Sequence, residues 1–185
     1  MGLPVRAILY PLLPRVFTEQ AITREANPER PIAIAVLGLP RREKGFHLIP
    51  PVIRALEDKI AAEEIRFVIQ TGDQSQDCEG LDSSIASLRS HPGVELIERT
   101  LEPQDYLSEL LRCGVVLTPY LKESYAQRLS WISIEGAALA KPVIVTEGTL
   151  AAGFIKSFGA GVEFPDQDVE AMVAAISRVS EDYEA

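Results

Sequence analysis

Residues 31–38 read Pro-Ile-Ala-Ile-Ala-Val-Leu-Gly, an unbroken apolar run closed by glycine. Such a run has no polar face to turn to water, so it predicts a strand buried on both faces, as in a parallel sheet. Similar short runs recur at Ile65 to Gln70, Val94 to Ile97, Val115 to Thr118, Pro142 to Thr146 and Gly161 to Phe164. Between them lie stretches of helical spacing. Lys44 to Glu63 carries Leu48, Val52, Ile53, Leu56 and Ile60 on one stripe. Leu81 to Ser90, Pro103 to Cys113 (apolar at Tyr106, Leu107, Leu110 and Leu111), a segment ending near Ala140, and Asp166 to Ser180 complete the set. Strands alternating with helices predict an α/β fold with a doubly wound parallel sheet, because right-handed crossovers place helices on both faces. Ligands of such sheets sit outside the carboxyl ends of the strands. The loops after each strand therefore carry the functional reading.

The 185 residues suit one domain, able to bury about 70% of its unfolded surface without metal or disulfides. Residues 1–30, proline-punctuated and then polar, are expected to be a linker or arm, and 31–185 the folded domain. The early apolar stretch from Val5 to Phe17 is interrupted by Arg6, Pro11, Pro14 and Arg15, so neither a membrane span nor an export signal is expected. Two cysteines (Cys78, Cys113) and two histidines (His47, His91) show no metal-ligand spacing, which predicts no metal and free thiols in a reducing cytoplasm. A net charge of −9 disfavours a general nucleic-acid binder. It still leaves room for one local basic site that takes a small anion.

The loop after the first strand, Gly38-Leu39-Pro40-Arg41-Arg42-Glu43-Lys44-Gly45, is neither a Walker loop nor a GxGxxG fingerprint. It sets three cations within four residues at an expected helix start, where the dipole already favours anions. Two readings stand: an anion-binding loop, or a solvated basic turn paired with Glu43. Farther along, Glu135 is the only charged residue from Leu129 to Ala140. It is either an acceptor for paired ligand hydroxyls or a first-turn acid facing solvent. Glu123, Tyr125, Arg128 and Ser130 follow the fourth strand, at the binding edge, as a polar site or merely a surface loop. Tyr120 and Trp131 could stack on a base, although core packing is the commoner role of such residues.

Four segments in order resemble the C-terminal domain of the "group 1" GT-B glycosyltransferases. Leu37-Gly38 to Lys44-Gly45 is similar to that family's strand, basic loop and Lys-Gly. Val116 to Pro119 with Glu123-Ser124-Tyr125 resembles its "PSxxExF" segment. Ile134-Glu135 with Ala137, then Ala140 to Val145, resembles "LEAxAxGxPVV". Gly159 to Val162, with the helix after it, resembles the closing pattern. The resemblance implies a Rossmann-like half that binds a nucleoside-diphosphate sugar without a further cofactor. It places Lys44 and Arg41 or Arg42, with Gly38, on the donor diphosphate, and Glu135 on the nucleotide ribose. Glu123 falls near the donor sugar as the catalytic position, with Tyr125, Arg128 and Ser130 beside it.

Departures accompany it. Eleven residues separate Glu123 from Glu135 where the family usually has seven, Gly136 replaces an alanine, and Ala140 replaces a glycine. The resemblance further implies a partner, an N-terminal Rossmann-like domain or subunit holding the acceptor site, through which alone a membrane contact would arise. A nucleotide-sugar epimerase half and a non-enzymatic partner-binding domain with the same fold are the alternatives.

Overall fold

A computed structural model describes residues 30–73 and 80–183. Residues 1–29 of the expected arm at 1–30, and Cys78, lie outside these residues. Six strands form one parallel sheet: β1 (Ile32–Val36), β2 (Ile65–Gln70), β3 (Val94–Ile97), β4 (Val115–Thr118), β5 (Val143–Thr146) and β6 (Gly161–Phe164), in the order β3-β2-β1-β4-β5-β6. The α-helices are α1 (Ile49–Ala55), α2 (Glu57–Ala61), α3 (Asp82–Arg89), α4 (Pro103–Arg112), α5 (Lys122–Tyr125), α6 (Trp131–Ala138), α7 (Leu150–Phe158) and α8 (Val169–Asp182). The expected doubly wound α/β sheet is what forms.

The pleat sorts the core into two. Ile32 and Ile34 join Phe67, Ile69, Val115 and Leu117 on the face covered by α1, α3 and α8. Ala33 and Ala35 join Val68, Val116, Val143 and Val145 on the face covered by α4, α6 and α7. Strand order reverses between β1 and β4, which pair through Ile34 with Val115 and Ala35 with Val116. A reversal of winding opens a crevice at the carboxyl ends of those two strands.

The first helix differs from its expected form. Two 3-10 turns, Arg42–Lys44 and Phe46–Leu48, precede α1, and Leu56, at φ −107°, divides α1 from α2. Pro50 and Pro51 fit the first turn of α1, where no backbone donor is needed. The cations of the first loop therefore do not stand at an α-helix N-terminus, and the dipole argument for an anion there falls away.

Of the three sequence departures, Gly136 has a packing account and Ala140 carries a backbone cost. A Cβ at Gly136 would lie 2.7 Å from Val116 Cγ2, so glycine lets α6 close on β4. Ala140 adopts φ 53°, a left-handed conformation that costs an L-residue about 1 kcal/mol and that glycine takes freely. Lys141, 1% exposed, donates from its ammonium to the carbonyls of Leu111, in the last turn of α4, and Cys113, just beyond it. Cys113 is a buried free thiol whose pKa burial pushes up to about 11. Among the described residues no helix is long and apolar enough to cross a membrane.

Candidate active site at the sheet reversal

The loops after β1 and β4 are stitched together. Leu121 N–H donates to the Glu43 carbonyl at 2.9 Å. Gly45, at φ 69°, approaches the Pro119 carbonyl so closely that a Cβ would sit 1.8 Å from its oxygen. Side chains continue the seam. Glu43 reaches Arg41 at 3.5 Å with one oxygen and Arg128 at 3.2 Å with the other. Arg128 also lies over the Tyr125 ring, 5.0 Å from its centroid. Glu43 thus pairs as the solvated-turn reading anticipates, yet it leaves Lys44 outside that pairing. Both pairs are half exposed, so each contributes little to stability.

Lys44 is half-buried, and among the described residues no carboxylate lies within ion-pairing distance of its ammonium. Burial lowers its pKa, Arg41 and then Arg128 add to that, and Glu43 opposes them. A cation held under these conditions is stabilised by an arriving anion. Gly38 makes the space: its Cβ, were there one, would stand 3.1 Å from the Lys44 ammonium nitrogen. The Gly38 N–H is not free for a phosphate, because it donates to Gln70 Oε1 at 2.8 Å. Gln70 Nε2 in turn donates to the Arg99 carbonyl at 3.3 Å, so one buried amide ties the loops after β1 and β3. Gln70 is not among the sequence-predicted site residues; its only sequence signal is a polar side chain closing the run Ile65 to Gln70.

Arg41 and Arg42 are exposed at the rim. Glu123 is exposed on α5, and no described side chain bonds it. The polar residues after it are less open than expected. Tyr125, 6% exposed, packs at 4.4 Å against Tyr120, 8% exposed. Both hydroxyls have raised pKa values, chiefly through burial. Ser130 is buried and accepts from Ser133 Oγ at 2.8 Å, and Ser133 Oγ lies 3.1 Å from Thr118 Oγ1. Ser130, expected as a ligand contact, thus lies in the interior with its oxygen engaged by Ser133. Tyr120 is likewise a core residue, whereas Trp131 stands half exposed at the start of α6.

Glu135 lies in the second turn of α6 and is half-buried, so it is not a first-turn acid facing solvent. Its Oε2 accepts from the Tyr106 hydroxyl at 2.5 Å. Sequence reading counted Tyr106 only as an apolar position of α4. His47 Nδ1 is buried with no partner among the described residues, and burial, then Arg42, lowers the His47 pKa. Hollows of about 410 and 680 Å³ open near Lys141 and near His91, at the amino ends of the strands. Neither gathers the residues named above, so strand topology rather than hollow size places the site. Among the described residues no group of three or more His, Cys, Asp or Glu side chains gathers to hold a metal.

Comparisons agree with this architecture. A family model described as "Glycosyl transferases group 1" matches residues 30–182. No curated protein matches. Solved structures do. A sucrose-phosphate synthase from Thermosynechococcus elongatus is 17% identical, with 94% of this chain and 41% of that one covered at a TM-score of 0.65. A glycosyltransferase from Rickettsia africae is 16% identical, with 91% and 42% covered at 0.62. A UDP-forming trehalose-phosphate synthase from Burkholderia xenovorans is 11% identical, with 88% and 41% covered at 0.63. The chain therefore spans about two fifths of the length of these structures.

Proposed function

The chain belongs to the group 1 glycosyl transferases, and from that premise we propose that its crevice between β1 and β4 binds the donor, a nucleoside-diphosphate sugar. In this reading Lys44 holds the diphosphate, with Arg41, Arg42 and Arg128 at the rim. Glu135 accepts from the ribose hydroxyls, and Glu123 stands toward the transferred sugar. The observation that carries it is the half-buried Lys44 ammonium, with two guanidinium groups beside it and, among the described residues, no carboxylate within ion-pairing distance. Negative charge grows on the diphosphate as the glycosidic bond breaks, and a cation already fixed and partly desolvated stabilises that charge without reorganising. The acceptor and the other wall of the cleft belong, on this account, to an N-terminal half that the two-fifths coverage leaves room for. Alone, the chain binds donor weakly and does not turn it over.

Base and sugar are open; the UDP-forming relative makes UDP the first probe. Glu135→Ala is expected to weaken UDP binding about tenfold, the worth of one charge-assisted hydrogen bond. Pyrophosphate, which has no ribose, should bind within twofold of the unaltered chain. Titration calorimetry with both ligands checks this, and an equal loss for the two contradicts the ribose role.

A further inference from the structure

Glu135 sits in an apolar helical run, half-buried, where a carboxylate needs donors. The structure supplies one from a different helix. Tyr106 lies in the first turn of α4, its N–H donating to the Glu102 carbonyl at 2.9 Å, and its hydroxyl reaches Glu135 Oε2 at 2.5 Å. Helix α4 carries the chain from β3 to β4, and α6 carries it from β4 to β5, on the same face of the sheet. The bond thus spans the two helices that flank β4, just below the crevice. Burial, and after it the charge of Glu135, raise the Tyr106 ionisation far above its ordinary range, so the phenol remains a donor at every working pH.

We propose that Tyr106 is a positioning residue for nucleotide recognition, clamping one oxygen of Glu135 so that the other is presented to the ribose. The proposal rests on the donor-site reading of Glu135. A free glutamate side chain surrenders rotamer freedom when a ligand immobilises it, and a carboxylate already held on one oxygen has surrendered it in advance. The same bond draws charge from Oε2, which leaves Oε1 as the better acceptor. Recognition of the 2′ and 3′ hydroxyls then depends on a residue that does not touch them.

The test compares UDP, 2′-deoxy-UDP and pyrophosphate on the 185-residue chain, with GDP and 2′-deoxy-GDP in parallel. The unaltered chain should prefer the ribonucleotide by about tenfold. Tyr106→Phe keeps the ring and its packing, and should cut that preference to about threefold or less while pyrophosphate affinity moves less than twofold. Tyr106→His, which restores a ring donor, should recover part of the preference. Glu135→Gln should remove most of it, and adding Tyr106→Phe to that variant should change nothing more. A full preference in Tyr106→Phe, with its loss in Glu135→Gln, overturns the role of Tyr106 and leaves the ribose reading standing. Equal losses of UDP and pyrophosphate in Tyr106→Phe overturn it as well, showing a scaffold role only. No preference in the unaltered chain, with Glu135→Gln inert, overturns the ribose reading and the proposal with it.

Discussion

Gly45→Ala is expected to destabilise the fold by about 3 kcal/mol or more, combining the left-handed cost for an L-residue with a backbone collision. The new methyl would lie 1.8 Å from the Pro119 oxygen and 2.8 Å from its carbon. Neither atom is the end of a flexible side chain, so the two loops must part. Parting them breaks the Leu121 N–H bond to the Glu43 carbonyl and separates Glu43 from Arg128. Urea denaturation should therefore show a lower midpoint, and the folded fraction should bind nucleotide poorly. Gly153 offers the control. It lies exposed in α7 with nothing within 4 Å of a built Cβ, so Gly153→Ala should be neutral or stabilising by up to about 1 kcal/mol. Equal behaviour of the two variants contradicts the close approach of the loops.

Lys44→Ala is expected to produce the largest binding loss. Removing this half-buried cation should weaken pyrophosphate and UDP alike, by at least about thirtyfold, in the range for truncating one partner of a desolvated charge pair. Both ligands suffer because the contact is to phosphate, whereas Glu135→Ala spares pyrophosphate. Stability should respond in the opposite sense. A lysine whose folded pKa lies below its ordinary 10.5 binds fewer protons folded than unfolded across that interval. The unfavourable contribution is complete below the folded value and fades as pH rises toward 10.5. Ligand-free Lys44→Ala should thus melt no lower than the unaltered chain at neutral pH, and should lose the part of the alkaline rise in stability that Lys44 supplies. A variant that melts lower and still binds pyrophosphate normally contradicts the assignment.

Strands were legible because burial on both faces demands contiguous apolar residues. Ile65 to Gln70, Val94 to Ile97 and Val115 to Thr118 begin and end in the structure where the sequence placed them. Helix breaks were not. Val52, Ile53, Leu56 and Ile60 keep one apolar stripe across the division between α1 and α2, so periodicity alone reads them as continuous. That error carried over to the site, since it set Arg41, Arg42 and Lys44 at a helix N-terminus that begins only at Ile49. Lys44 keeps its interest for another reason, its partial burial, which no local pattern encodes. The burial of Ser130 was not legible, because polarity in a loop sequence does not reveal the hydroxyl chain it forms with Ser133 and Thr118. The Tyr106 bond to Glu135 joins residues 29 positions apart, and the Gln70 bond to Gly38 joins residues 32 apart. Such pairings follow from strand order, so only the assembled sheet displays them.

The central claim is that the crevice between the β1 and β4 loops is a nucleotide-sugar site built around Lys44. Titration calorimetry of the 185-residue chain with UDP- and GDP-linked sugars, paired with melting measurements, tests it most directly. Measurable heat and a raised melting temperature are expected with one of these donors, both lost in Lys44→Ala. No heat and no stabilisation with any donor, or binding that survives Lys44→Ala unchanged, would contradict it.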